Sequence, residues 1–306
     1  MTSWSLMAPG GALHHAPRWL RSPKGIFAGL LLLLTLPAGQ HAGWPLVLPG
    51  LLAAIVAAMV VDTPLIRWRD GAWSIPDGAM LTGWLVGVVL SAHVAWPIVA
   101  ASAMVGIAAK HALRVKRANV LNPAAAAVVA SYYVFDTGQN WWGALPELPL
   151  PWVALILATG AFMAWRLHKL PLVLAFLGLH FALGTFTAFV GDPGRVAELY
   201  RAPDLHMALF FAGFMATDPP TSPPKAADQV VFGAIAAITS FALFMLVGAV
   251  YFLLGGLLMA NLWEGWRKWK RVHGTRSASP STRDGWTTMP MGTSTTSSTT
   301  ASSIRP

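Results

Sequence analysis

The chain has 306 residues, of which 55% are hydrophobic and only 11% are charged, against about 25% charged in an ordinary soluble domain. It carries a formal net charge of +9 and 15 Trp, and it has no cysteine, which excludes disulfides, thiolate chemistry, iron–sulfur ligation and haem attached through cysteine. The repeated apolar runs point to an integral membrane protein, and the positive charge is divided among loops rather than gathered on one face, as nucleic-acid binding requires.

In chain order, Arg18, Arg21 and Lys24 precede an apolar run over 25–38. That pattern resembles a signal peptide, with small residues over 36–43 that would suit cleavage. It reads better as a first span, because cleavage leaves an odd number of spans. Further apolar segments follow at 44–62, 78–94, 96–110, 122–135, 150–166, 170–190, 205–216 and 229–262. The last is long enough for two short spans, with Gly248, Gly255 and Gly256 as a break point. Charge decides the count. With ten spans, 19 of the 21 Lys and Arg fall on the side of both termini, and only Arg195 and Arg201 on the other. With nine spans the division is twelve to nine.

The expected fold is therefore all-α, with about ten transmembrane helices, some broken or short. Two halves, at about 25–135 and 150–262, hold five spans each. An odd number per half makes them enter the membrane in opposite directions, the condition for two inverted five-helix repeats. Residues 1–24 form a cytoplasmic N-terminal segment, 25–264 the membrane domain, and 265–306 a basic and then Ser/Thr-rich tail too polar to order itself. The Arg267–Arg271 cluster suits anionic headgroups.

Three polar interruptions lie at helix ends on the predicted cytoplasmic side. Asp77, Gly78, Thr82 and Gly83 open one span, with the acid at the helix start and small residues that allow close approach. Asn122 caps a helix that has Pro123 at its first position. The third is 205–225, a 12-residue apolar run that is too short to cross a hydrocarbon core of roughly 30 Å and ends in Thr217, Asp218, Thr221, Ser222 and four prolines. Such polar backbone at membrane depth must be buried in protein or line a cavity. Capping and small-residue packing explain each interruption taken singly. Together they predict a shared pocket. His180 falls mid-span and His206 at a span entrance; hydrogen-bonded packing is the simpler role for both, ahead of haem ligation or a proton relay.

Asp77–Gly83, Lys110-His111 with Asn122-Pro123-Ala124, and Met215-Ala216-Thr217-Asp218-Pro219-Pro220-Thr221-Ser222-Pro223 resemble the signatures of one family. It joins the D subunit of the Rnf electron-transport complex, the B subunit of the sodium-pumping NADH:quinone reductase and the enediyne-cluster protein UnbU. The resemblance covers about 25–262. It implies a multi-pass subunit of a bacterial-type plasma membrane, both termini cytoplasmic, working with other membrane redox subunits in a redox-driven ion-translocating oxidoreductase. It also implies FMN or riboflavin. In the family a flavin is joined through its phosphate to threonine in Ser-Gly-Ala-Thr, which is absent here. Thr185 and Thr187 are the nearest candidates, with other neighbours, so non-covalent flavin, or none, is expected ahead of covalent flavin. Asn122, Thr82, Thr217 and Asp218 are the polar groups expected around it.

No catalytic residue and no metal site is expected. The alternatives are a transporter or permease on the same scaffold and a structural subunit that has lost its cofactor.

Overall fold

The computed structural model describes residues 19–115, 118–149, 151–190, 194, 197 and 200–274. The expected tail beyond 274, the start of the N-terminal segment, and Lys116, Arg117 and Arg195 of the charge count lie outside the described residues.

Ten helices are present among the described residues: α1 Pro23–Ala42, α2 Trp44–Asp70, α3 Asp77–Val89, α4 Trp96–Ala112, α5 Pro123–Phe135, α6 Pro151–Arg166, α7 Leu170–Val190, α8 Asp204–Phe210, α9 Ala226–Ala242 and α10 Phe252–Gly274. A wider π turn, Phe211–Met215, continues α8, and another, Leu243–Val247, continues α9. The only paired strands described are β1 Arg114–Val115 and β2 Ala118–Asn119, an antiparallel ribbon between α4 and α5.

Local capping chemistry sets two of the helix starts. The Ser22 hydroxyl accepts from the Gly25 amide at 3.1 Å, with Pro23 in the first turn. Asn122 does the same for α5, accepting from the Ala125 amide at 3.0 Å. Gly43, at φ 92°, turns α1 directly into α2. Gly248, at φ 67°, ends the α9 continuation, so the long apolar segment 229–262 is two helices, as the charge distribution requires.

Among the described residues, four helical stretches are long and apolar enough to cross a membrane by length and composition: Pro23–Ala42, Trp44–Asp70, Leu170–Thr187 and Ala226–Val247. Asp77–Val89, Pro123–Phe135, Pro151–Arg166 and Asp204–Met215 are apolar but shorter. At 1.5 Å per residue a 13-residue helix such as α3 reaches only about 20 Å.

Two ends differ from the sequence reading for tertiary reasons. α3 stops at Val89 instead of 94, because Leu90 pairs with Gln139 and the Trp141 amide donates to the Val89 carbonyl at 3.1 Å. α10 runs through the basic cluster to Gly274 and so extends past the expected boundary at 264. There Arg267 and Arg271 reach back to Asp228 of α9, at 2.7 and 3.7 Å.

One continuous core, with Leu31, Leu34, Ile107, Phe176, Phe210, Phe214 and Phe232 at its centre, runs through the bundle. Among the first five helices α2 packs on both α3 and α4, and α4 on α5; among the last five α7 packs on α9, and α9 on α10. Small residues make these approaches possible. A Cβ on Gly83 would lie 2.4 Å from the Ala54 carbonyl of α2, and one on Gly233 would lie 2.6 Å from the Leu172 carbonyl of α7.

Gly83→Leu is therefore expected to force α2 and α3 apart, at a cost of about 1–3 kcal/mol. A thermal melt in detergent should show a clearly lower midpoint, whereas Gly29→Ala, where the added carbon meets nothing within 4 Å inside α1, should melt at or slightly above the parent.

Candidate polar site at the basic end of the helices

The chemistry of this site begins with proline. Pro219, Pro220, Pro223 and Pro224 interrupt the segment after α8 and supply no backbone N–H, so the local carbonyls must find donors elsewhere. Side chains from other elements supply them. Lys268 Nζ donates to the Pro220 carbonyl at 2.9 Å, and Asn261 Nδ2 to the Thr221 carbonyl at 3.4 Å. Lys169 Nζ donates to the Pro223 carbonyl at 2.7 Å and the Ser222 carbonyl at 3.5 Å. Gln229 Nε2 donates to the carbonyls of Pro224 at 3.2 Å and His168 at 3.0 Å.

The hydroxyls turn inward on the same segment. Thr217 donates to the Gly213 carbonyl at 2.8 Å, Ser222 to the Asp218 carbonyl at 2.8 Å, and Thr221 to the Asp218 carboxylate at 2.8 Å. Asp218 is thereby held within this local turn.

Asn122 ties the segment to α5 and α10. Its amide N–H donates to Asn261 Oδ1 at 2.8 Å, and its Nδ2 donates to the Met215 carbonyl at 3.3 Å. Pro123 lies buried beside it at the first position of α5. Residues 119–124 and 215–224 thus meet, as expected, and they meet through Asn261.

Burial governs the charges. Lys169 is 5% exposed, and burial pulls its ammonium down to about 8, against the opposing attraction of Asp218. Burial also raises the Asp218 carboxyl above its usual range, opposed by the Thr221 hydroxyl and by Lys169, Lys268 and Lys110. Glu264, fully buried, adds negative charge near Lys169 and Lys268.

The third interruption belongs to a neighbouring cluster. Asp77 pairs with Lys24 at 2.6 Å. Thr82 is spent on the Gly78 carbonyl at 2.9 Å, and Gly83 faces α2. Gly78 lies beside Lys110, whose Nζ would be 3.9 Å from an added Cβ. Lys110 binds both oxygens of Asp62, at 2.9 and 2.8 Å, and His111 Nε2 donates to the same carboxylate at 2.6 Å. Asp62 is completely buried. The three interruptions therefore form two adjoining clusters instead of one pocket, with Lys110 as the electrostatic link. Sequence reasoning missed Asp62, Lys169, Gln229 and Asn261. A lone Asp or Asn in an apolar run was the available signal for two of them.

Thr185 and Thr187 stand apart on α7. Thr185 donates to the Phe181 carbonyl at 2.7 Å and also meets the Tyr200 hydroxyl; Thr187 donates to the Gly184 carbonyl at 2.6 Å. His206 is a packing histidine, its Nδ1 donating to the Leu145 carbonyl at 2.7 Å. His180 lies stacked between Phe176 and Phe252, with ring centroids 5.4 and 6.4 Å away, and its Nδ1 has no partner.

As arranged, the knot does not fit a flavin ring. Asn122, Thr217, Thr221 and Ser222 are each at most 2% exposed, and their polar atoms already serve the chain.

Asn122→Ala removes a cap and the donor to Met215, and is expected to cost roughly 2–4 kcal/mol, read as a lower melting midpoint in detergent. Lys169 generates a pH prediction. Its folded value of about 8 lies below the ordinary 10.5, so the unfolded chain holds more protons between those limits. Its contribution to stability should therefore rise with pH across that window and be flat below it. Melts of the parent and of Lys169→Met from pH 7 to about 10.5 should differ in slope there and run parallel below pH 8.

Compared with known proteins, the chain matches no family model, and no curated protein is significantly similar to it.

Proposed function

We propose that the chain is an integral membrane subunit on the scaffold of the Rnf D-subunit and NADH:quinone reductase B-subunit family, serving electron transport coupled to ion translocation beside other membrane redox subunits. The observation that carries the reading is the joining of two of the family-like segments, 119–124 and 215–224, through Asn122 and Asn261 at the end of the bundle that gathers the lysines. Four stretches long and apolar enough to span, the shorter apolar helices and the one-sided Lys and Arg support a plasma-membrane location with both termini cytoplasmic. The recurrence of the same pairings, second helix on fourth and fourth on fifth, supports two inverted repeats.

Any FMN or riboflavin lies outside the closed knot and is held without a covalent bond. The hydroxyls of Thr185 and Thr187 are both engaged with helix carbonyls, and Ser-Gly-Ala-Thr is absent. A bound flavin would supply the one- and two-electron chemistry, and the chain a scaffold for it.

A second reading has an observation of its own. The hydrogen bonds within the knot suit a structural subunit that has closed its ancestral ligand site. A transporter or permease would need that same region to open.

The test is a visible spectrum and cofactor extraction after mild detergent purification, with the intact mass measured alongside. The redox reading expects flavin absorbance and extractable flavin with the bare polypeptide mass. A colourless protein that binds neither FMN nor riboflavin on reconstitution would overturn it in favour of the structural subunit. Ligand-dependent uptake by vesicles containing a colourless protein would indicate the transporter.

A further inference from the structure

Three helices at the basic end run on past their apolar stretches. The apolar part of α2, 44–62, covers about 28 Å at 1.5 Å per residue, close to a hydrocarbon core of roughly 30 Å. The helix nevertheless continues to Asp70, which carries Trp68 and Arg69 beyond acyl-chain depth and toward the headgroups. α6 closes on Trp165 and Arg166. α10 carries Trp266 and Trp269 past the apolar segment that ends at 262.

Exposed indoles gather at this end. Among the described residues, six tryptophans have half or more of their surface exposed, and five of them lie here: Trp68, Trp73, Trp165, Trp266 and Trp269. The sixth, Trp96, opens α4 at the opposite end and has no Lys or Arg within ten residues on either side. At the basic end the indoles and cations are interleaved. Trp68 lies between Arg67 and Arg69, Trp165 precedes Arg166, and Trp269 lies between Lys268 and Lys270. Three cation–π contacts also fall at this end: Arg67 is 5.8 Å from the Trp73 ring, Arg267 is 4.5 Å from Trp263, and Lys270 is 3.8 Å from Trp266. A water-facing charged surface would need only the cations. Large exposed indoles beside them mark a surface that meets a partner with an apolar layer and a negative one.

We propose that this end binds anionic phospholipid headgroups, with Trp68, Trp165, Trp266 and Trp269 at the level where acyl chains meet headgroups and Arg69, Arg166 and Lys270 facing the phosphates. The fold narrows the choice of cations. Arg267 and Arg271 reach Asp228, and Lys268 serves the Pro220 carbonyl, so the run 267–271 is partly spent inside the protein. Lys270 and Arg166 are exposed, and Arg69 shares its charge with only Asp70. The excess of cations over acids on α2, α6 and α10 selects a lipid of net negative charge over a zwitterionic one. One headgroup layer can meet all three helices at once. The inference rests on the membrane reading and not on the redox one, so a flavin-free protein leaves it standing.

The experiment is native mass spectrometry of the detergent-purified full chain incubated with equal amounts of phosphatidylglycerol and phosphatidylcholine. Phosphatidylglycerol should be retained at least about fivefold over phosphatidylcholine at low salt, and the preference should shrink as salt screens it. The triple variant Arg69→Gln, Arg166→Gln, Lys270→Gln should cut that preference by about fivefold or more, since each cation near an anionic surface is worth about that factor. The three side chains lie on the surface, so the variant should melt as the parent does; Lys270→Gln alone gives the same direction with a smaller change. Trp96→Ala, at the opposite end, should leave the preference unchanged. Equal retention of the two lipids by the parent, or a preference that the triple variant keeps, overturns the proposal. Flotation with phosphatidylcholine liposomes separates the two levels. A chain that does not float ends the membrane reading and this inference with it; one that floats but retains both lipids alike ends this inference alone.

Discussion

The polar knot after α8 follows from carbonyl groups that lack local donors. A turn with four prolines between 219 and 224 cannot satisfy itself, and burying bare carbonyls is costly. The chain answers with two lysines and two amides from distant positions, Lys169, Lys268, Gln229 and Asn261. Each is fixed by that duty, and so is the element that carries it. The turn thereby sets the relative placement of α7, α9 and α10, and Asn122 brings α5 to the same point.

The lysines have a double role. Counted as charges, they are the sequence signal from which an orientation is expected, by their excess on one side. Lys169 is nevertheless almost wholly enclosed, with its ammonium among backbone oxygens and near Asp218. Side chains that signal orientation along the sequence become, once folded, the donors that complete the interior.

The helices were legible where their signals are local. Ser22-Pro23 and Asn122-Pro123 announce starts by capping chemistry, and Gly248 announces the division of the last apolar segment. Ends set by tertiary pairing were not legible: nothing near Val89 forecasts that residue 139 pairs there. Of the site, Asn122, Thr217, Asp218, Thr221 and Ser222 were found because proline and polar residues stand out against apolar flanks. Their partners were not, because Lys169 reads as an ordinary loop charge and Asn261 as one polar residue in a long run. Asp62 looked like the end of a span, while α2 continues two turns beyond it to Asp70. The expected single pocket became two adjoining clusters, because Gly83 makes α3 a packing partner of α2.

The Asp62 cluster has a mechanical consequence. One enclosed carboxylate on α2 is gripped by two successive residues of α4, Lys110 through both oxygens and His111 through one. Sliding either helix along the other by a single turn would strand that carboxylate without a counter-charge, a penalty of about 3–5 kcal/mol. The pair acts as a pawl that holds these two rods in one register. The departures from regular winding fall elsewhere, in the wide turns at 211–215 and 243–247 that continue α8 and α9.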